Sequence, residues 1–154
     1  GSEMCIRDRK LMNTIFGGTP FSKLFLNVRE KLSLCYYCAA GYNQLKGTVF
    51  VDCGIEEENI IKTENEILNQ LEEIKKGNFS EEDVNNSILS IINSLKGVGD
   101  TPLSYINWYY GCFINDEVIS PAESIEKYKA VTREQIIAAA ESLELDTVYV
   151  MKGE

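Results

Sequence analysis

Residues 16–54, FGGTPFSKLFLNVREKLSLCYYCAAGYNQLKGTVFVDCG, carry the pattern from which the fold can be read. Gly17-Gly18 closes the tail of a helix that starts, on this pattern, at Lys10, since glycine past the last turn frees the backbone to leave the helix. Ser22 is placed to cap the next helix. In that helix Leu24, Phe25, Val28 and Leu32 share an apolar face, and Arg29, Glu30 and Lys31 lie off it. Leu34–Tyr42 and Thr48–Gly54 are rich in Tyr, Val and Phe and flank the polar loop 43–47, which predicts an antiparallel strand pair.

Downstream, the spacing predicts a helix over Glu56–Lys76, with Ile60, Ile67, Leu71 and Ile74 in register and Ile61 and Leu68 alongside. Acids at its start, Lys75-Lys76 at its end and Gly77 beyond suit the helix dipole and its C-cap. Ser80-Glu81-Glu82-Asp83 opens another helix bearing Val84, Ile88, Ile91 and Leu95, ended by Gly97 and Gly99. Thr101-Pro102 begins an aromatic helix with Tyr105, Trp108, Tyr109, Tyr110 and Phe113. Ser120–Glu123 and Thr132–Gln135 are capping boxes, and Asp146–Met151 reads as a closing strand. Helices, a strand pair, more helices and a last strand describe an α+β fold, an antiparallel sheet packed on one side by helices. A βαβ nucleotide fold does not give that order.

The chain has 154 residues, 44% of them hydrophobic, enough for one domain with a real core. Its net charge is −9, and the Lys and Arg residues form no stripe, which argues against a nucleic-acid partner. No apolar run approaches the ~20 residues a membrane helix needs, and no secretory signal is visible. Residues 1–9, GSEMCIRDR, share no periodicity with the residues after them and read as a cloning or library remnant. Setting them aside removes Glu3, Asp8, Arg7 and Arg9, so the charge is unchanged. It also removes Cys5 and leaves Cys35, Cys38, Cys53 and Cys112, which read as free thiols of a cytoplasmic protein.

The chain contains no histidine. Cys35-Tyr36-Tyr37-Cys38 has C-x-x-C spacing, but inside a predicted strand residues three apart point to opposite faces, so structural thiols are expected. Gly17-Gly18-Thr19-Pro20 lacks the further glycines and lysine of a phosphate loop and reads as a tight interhelical turn. The acid clusters Glu56–Glu58 and Glu81–Asp83 suit first helical turns, and the aromatic run at 105–113 suits core or interface. Arg29 and Tyr36 lie on either side of a helix-to-strand junction and carry donors suited to the carbonyls of an extended peptide. Spacing alone favours structural roles for both.

The stretches GG…SKLF…VREKLSLCYY and KGTVFVDCGI resemble the C-terminal half-domain of the insulinase/pitrilysin/mitochondrial processing peptidase superfamily. Two departures stand out: Ser33 where that family usually has glycine, and Cys35 where it has alanine. With SLCYY and the later WYYG at 108–111, they look most like a bacterial branch associated with 5-aminopentanol modification of elongation factor EF-P. The resemblance implies a half-domain that pairs with a second half to enclose a peptide chamber. In active members the zinc motif H-x-x-E-H sits in the other half. An arginine and a tyrosine seven residues apart hold the substrate backbone, and the matching positions are Arg29 and Tyr36. The family half-domain also begins with a strand that would precede Lys10, so residues 10–154 are expected to be a half-domain cut short at that strand.

The expected function is therefore a non-catalytic peptidase-like domain that binds peptide and pairs with a catalytic half or homologue. No catalytic residue and no cofactor are expected in this chain, with zinc only in a partner or missing half. Membrane and nucleic-acid partners are not expected. The alternatives are the substrate-binding half of an active zinc endopeptidase whose H-x-x-E-H half lies elsewhere, and a scaffold with no peptide site.

Overall fold

The computed structural model describes residues 2–153; Gly1 and Glu154, the outer limits of the two expected segments, lie outside them. The first helix, α1 (Ser2–Asn13), begins earlier than the Lys10 start expected from the sequence. Arg7 is ion-paired with Glu117, while Asp8 Oδ1 and Arg9 Nε are buried with no hydrogen-bond partner among the described residues. This first stretch thus holds its helical form while leaving polar groups stranded.

A wide π-helical turn, Thr14–Gly18, ends the segment, and Gly17 explains its path. A Cβ on Gly17 would stand 2.6 Å from Ala40 Cβ and 2.7 Å from Ala40 N, so the turn lies directly against the sheet. Ser22 then caps as expected: its Oγ accepts from Phe25 N at 3.4 Å, and its carbonyl accepts from Leu26 N at 3.0 Å. The next helix, Leu24–Lys31, is also wound wide, and it buries Leu24 and Val28 completely. Leu32, expected on the same apolar face, is instead 45% exposed because the chain is already turning away there.

The hairpin is β1 (Tyr37–Asn43) and β2 (Thr48–Gly54), antiparallel, with Cys38 opposite Cys53 and Ala40 opposite Val51. It starts at Tyr37 rather than Leu34, since residues 34–36 have no partner strand along their full length. Asn43 Oδ1 accepts from Lys46 N at 3.1 Å to close the loop. Alternation sets the two faces of the hairpin. Cys38 and Ala40 are buried inward, while Tyr37 and Phe50 point outward. The outward rings cover glycines directly opposite them, Tyr37 over Gly54 and Phe50 over Gly41, which shields backbone that has no side chain.

Helices cover the inner face. A short turn, Glu57–Asn59, leads into α2 (Ile60–Lys75), so the acids precede the regular helix. Its buried line runs through Thr63, Gln70 and Ile74, and Ile61 is 73% exposed on the opposite side. Gly77, at φ +80°, reverses the chain so that Asn78 N donates to Glu73 O at 2.8 Å. The helices α3 (Glu81–Lys96), α4 (Pro102–Ile114), α5 (Pro121–Lys129) and α6 (Arg133–Glu141) each open on a reciprocal capping box, at Ser80/Asp83, Thr101/Ser104, Ser120/Glu123 and Thr132/Gln135. Leu11, Met12, Ile15, Leu24, Val28, Ile74 and Ile136 form the centre of the core.

The closing strand expected at Asp146–Met151 is not formed. Residues 143–153 have no regular secondary structure, and Tyr149 and Met151 are each 83% exposed. A strand needs a neighbouring edge to satisfy its backbone, and no described strand besides β1 and β2 offers one. Among the described residues no helix is long and apolar enough to cross a membrane.

Candidate functional site

The junction between the wide helix and β1 is where Arg29 and Tyr36 meet. Ser33 adopts φ +51°, a left-handed conformation that turns the chain sharply out of the helix. Leu34 N donates back to Val28 O at 3.1 Å, which tucks the connection under the helix end. Residues 34–36 thereby run alongside the last helical turn, and the seven-residue separation becomes a direct contact.

That contact is between Arg29 Nε, as donor, and the backbone carbonyl of Tyr36, at 2.8 Å. Arg29 Nη1 donates to Glu30 Oε1 at 2.7 Å, and the guanidinium carbon lies 4.6 Å from the centre of the Phe25 ring. Stacking and two hydrogen bonds fix the plane of the fork. Tyr36 N donates to Gly54 O at 2.7 Å, so the tyrosine backbone is tied on both sides. Its side chain is free of such ties: it is 63% exposed, and its hydroxyl makes no hydrogen bond among the described residues. The guanidinium thus holds Tyr36 through the backbone, and the phenol is left exposed to solvent.

Beneath this junction lies a feature that sequence spacing does not reveal. Strand alternation would put Cys35 and Cys38 on opposite faces, but Cys35 precedes the first residue of β1, so alternation does not govern it. Cys35 and Cys53 are half-buried and Cys38 is buried, and the three thiols lie near enough to perturb one another's ionisation. The side-chain interaction between the Cys38 and Cys53 thiols, with burial, pushes the Cys38 thiol far up, and the same interaction brings the Cys53 thiol down to about 7. Burial raises the Cys35 thiol, with the Cys53 sulfur adding to the rise and Arg29 nearby opposing it. Tyr-Tyr-Cys at the start of one strand and a cysteine near the end of the next is the available signal. The register is needed to read it.

The chain has no histidine, and among the described residues no group of three or more Cys, Asp or Glu is placed to hold a metal ion. The residues present do not fit a zinc centre of the peptidase type. In the turn Gly17–Pro20, Gly17 packs closely against Ala40 and Leu24. Among the α-helices of the described residues, the aromatic helix α4 alone has no fully buried residue, and its Leu103, Ile106, Tyr110 and Phe113 are 64–78% exposed. Trp108 is its anchor, donating from Nε1 to Ile119 O at 2.9 Å.

Residues 8–90, more than half of the chain, match the family described as Peptidase M16 inactive domain. The match contains Arg29, Tyr36 and all three clustered cysteines. Over 144 residues the chain is 36% identical to the probable inactive metalloprotease YmfF of Bacillus subtilis (strain 168), covering 94% of this chain and 34% of that protein. A conserved protein from Enterococcus faecalis V583 superposes with a TM-score of 0.83 at 27% identity, covering 92% of this chain and 33% of that one. A protease from Helicobacter pylori superposes with a TM-score of 0.77 at 13% identity, over 90% of this chain and 34% of that one, a likeness of fold alone. The chain spans about a third of the length of each of these relatives.

Proposed function

The chain belongs to the peptidase M16 family, as its inactive domain, and from that premise we propose that it grips an extended peptide and pairs with a second peptidase-like half. The observation that supports this reading is the guanidinium of Arg29 fixed on the Tyr36 backbone, with the Tyr36 phenol exposed just before β1. An extended peptide offers a carbonyl every ~3.3 Å along its length, and a fixed fork with a neighbouring hydroxyl presents two donors to such a row. Because the chain covers about a third of its relatives, the remainder of a longer parent has room for the second half. Under this proposal any zinc is held by that half or by a catalytic homologue, and this domain contributes affinity and orientation only.

The test is binding of unstructured fluorescent peptides to the full-length parent protein with its partner, comparing the natural sequence with Tyr36→Phe and Arg29→Lys. Each variant should weaken affinity about two- to tenfold without changing the melting temperature by more than a few degrees. Unchanged affinity in both variants would refute the grip. Elongation factor EF-P, through the branch that the SLCYY stretch resembles, is the first protein client to test in the same assay. Metal analysis of the parent separates a non-catalytic assembly from an active endopeptidase, since only the latter must retain zinc with three protein ligands.

A further inference from the structure

We propose that Cys53 and Cys38 are a peroxide-sensitive modification site: a hydroperoxide oxidises Cys53, and Cys38 resolves it to a cross-strand disulfide. The register carries the inference. Cys38 and Cys53 are direct antiparallel partners on the inward face of the hairpin. Such partners have Cα atoms about 4.5 or 5.5 Å apart, and both spacings fall within the roughly 4.4–6.8 Å window of protein disulfides. The Cα spacing of the register is therefore compatible with the bond.

Roles follow from exposure and contact. Cys53 is half-buried, open to a small oxidant, whereas Cys38 is only 3% exposed and reachable mainly through its partner. The neighbouring Cys38 thiol favours the thiolate of Cys53, the form that attacks peroxide. In the first step the Cys53 thiolate attacks one peroxide oxygen. An S–O bond forms, the O–O bond breaks, and the alcohol or water leaves after taking up a proton. In the second step the Cys38 sulfur attacks the Cys53 sulfenic sulfur. The S–S bond forms, the S–O bond breaks, and water departs with the Cys38 proton. One hydroperoxide is reduced by two electrons, and two thiols are oxidised to one disulfide. The product ties β1 to β2 next to Gly54, whose carbonyl receives the Tyr36 N–H, so oxidation rigidifies the strand start that carries Tyr36.

The experiment is graded oxidation of the purified protein with hydrogen peroxide and with an alkyl hydroperoxide, read by peptide mapping without reduction. The expected result is a Cys38–Cys53 peptide as the first product and a rise in melting temperature of about 5–10 °C. Cys38→Ala combined with Cys35→Ala, which removes the other thiol near Cys53, should stop the reaction at a sulfenic acid on Cys53, trapped by dimedone, and Cys112→Ala should leave the crosslink unchanged. If the double variant does not fold, the map of the natural protein decides alone. A first product linking Cys35 or Cys112, or oxidation of all cysteines at equal rates, overturns the proposal.

Discussion

Arg29 Nε donates to the carbonyl of Tyr36 at 2.8 Å, so the two residues proposed to hold peptide are coupled through the backbone before any ligand arrives. Lysine keeps the charge at position 29 but has neither a planar fork nor a stacking face for Phe25. Arg29→Lys should therefore cost about 0.5–1 kcal/mol of stability, the worth of a half-exposed hydrogen bond. Tyr36→Phe should cost nothing measurable. Chemical denaturation of the two variants side by side is the check; equal losses would mean that the phenol has a structural partner after all.

Ser33 is the sharper test of the junction. Its φ of +51° lies where glycine is favoured and a Cβ is crowded. Ser33→Gly, which restores the residue usual in resembling sequences, should stabilise the protein by about 0.5–1 kcal/mol, or about 1–4 °C in melting temperature. Ser33→Val should destabilise by more than that. A neutral Val variant would show that the junction relaxes out of the left-handed region in solution.

The legible parts of this fold are those set by local chemistry. Ser80, Ser120 and Thr132 mark helix starts because a cap needs only the next three residues, and all three boxes form. The hairpin is legible from composition, but its first residue is not, because the position of Tyr37 depends on where β2 ends at Gly54. The same dependence hides the thiol cluster, since one register fixes which cysteine faces which. Residues 146–151 are strand-like in composition and unpaired in the structure, a property of missing neighbours that no local pattern encodes. Arg29 and Tyr36 are legible as neighbours, whereas the use of Arg29 on the Tyr36 backbone depends on the left-handed turn at Ser33.

Gly17 and Gly18 look alike in the sequence and should differ on substitution. A Cβ at Gly17 meets Ala40 Cβ at 2.6 Å and Leu24 Cδ1 at 2.8 Å, both in the core, while at Gly18 the nearest atom is Thr14 Cβ at 3.4 Å. Gly17→Ala should cost about 1–3 kcal/mol by forcing the helix turn off the sheet. Gly18→Ala should fall within about 0.5 kcal/mol of the natural protein. Comparable melting temperatures for the two would mean that the turn does not rest on β1.

The thiol cluster predicts a pH profile for alkylation. Cys53, brought down to about 7 by the Cys38 hydrogen bond, should react with iodoacetamide at a rate that rises through pH 7 and levels off above it. Cys35, raised by burial, should still be accelerating beyond the usual thiol range. Removing the donor with Cys38→Ala should return the Cys53 midpoint toward its ordinary value near 9. A Cys53 midpoint that does not move in that variant would assign the low value to something other than the shared hydrogen bond.

The α4 helix separates anchoring from exposure. Phe113 is 78% exposed and touches little, so Phe113→Ser should alter stability by no more than about 0.5 kcal/mol while improving solubility. Trp108 packs against the core and satisfies the Ile119 carbonyl at 2.9 Å. Trp108→Phe keeps an aromatic ring there and leaves that carbonyl only the weaker Cys112 thiol, at 3.6 Å, for a cost of about 0.5–1.5 kcal/mol. Because no residue of α4 is fully buried, the loss should appear first as fraying of residues 102–119, with the hairpin core intact. Hydrogen exchange resolves the two cases: faster exchange confined to α4 supports a single-residue anchor. A uniform increase across the hairpin would show that α4 folds as one unit with the core.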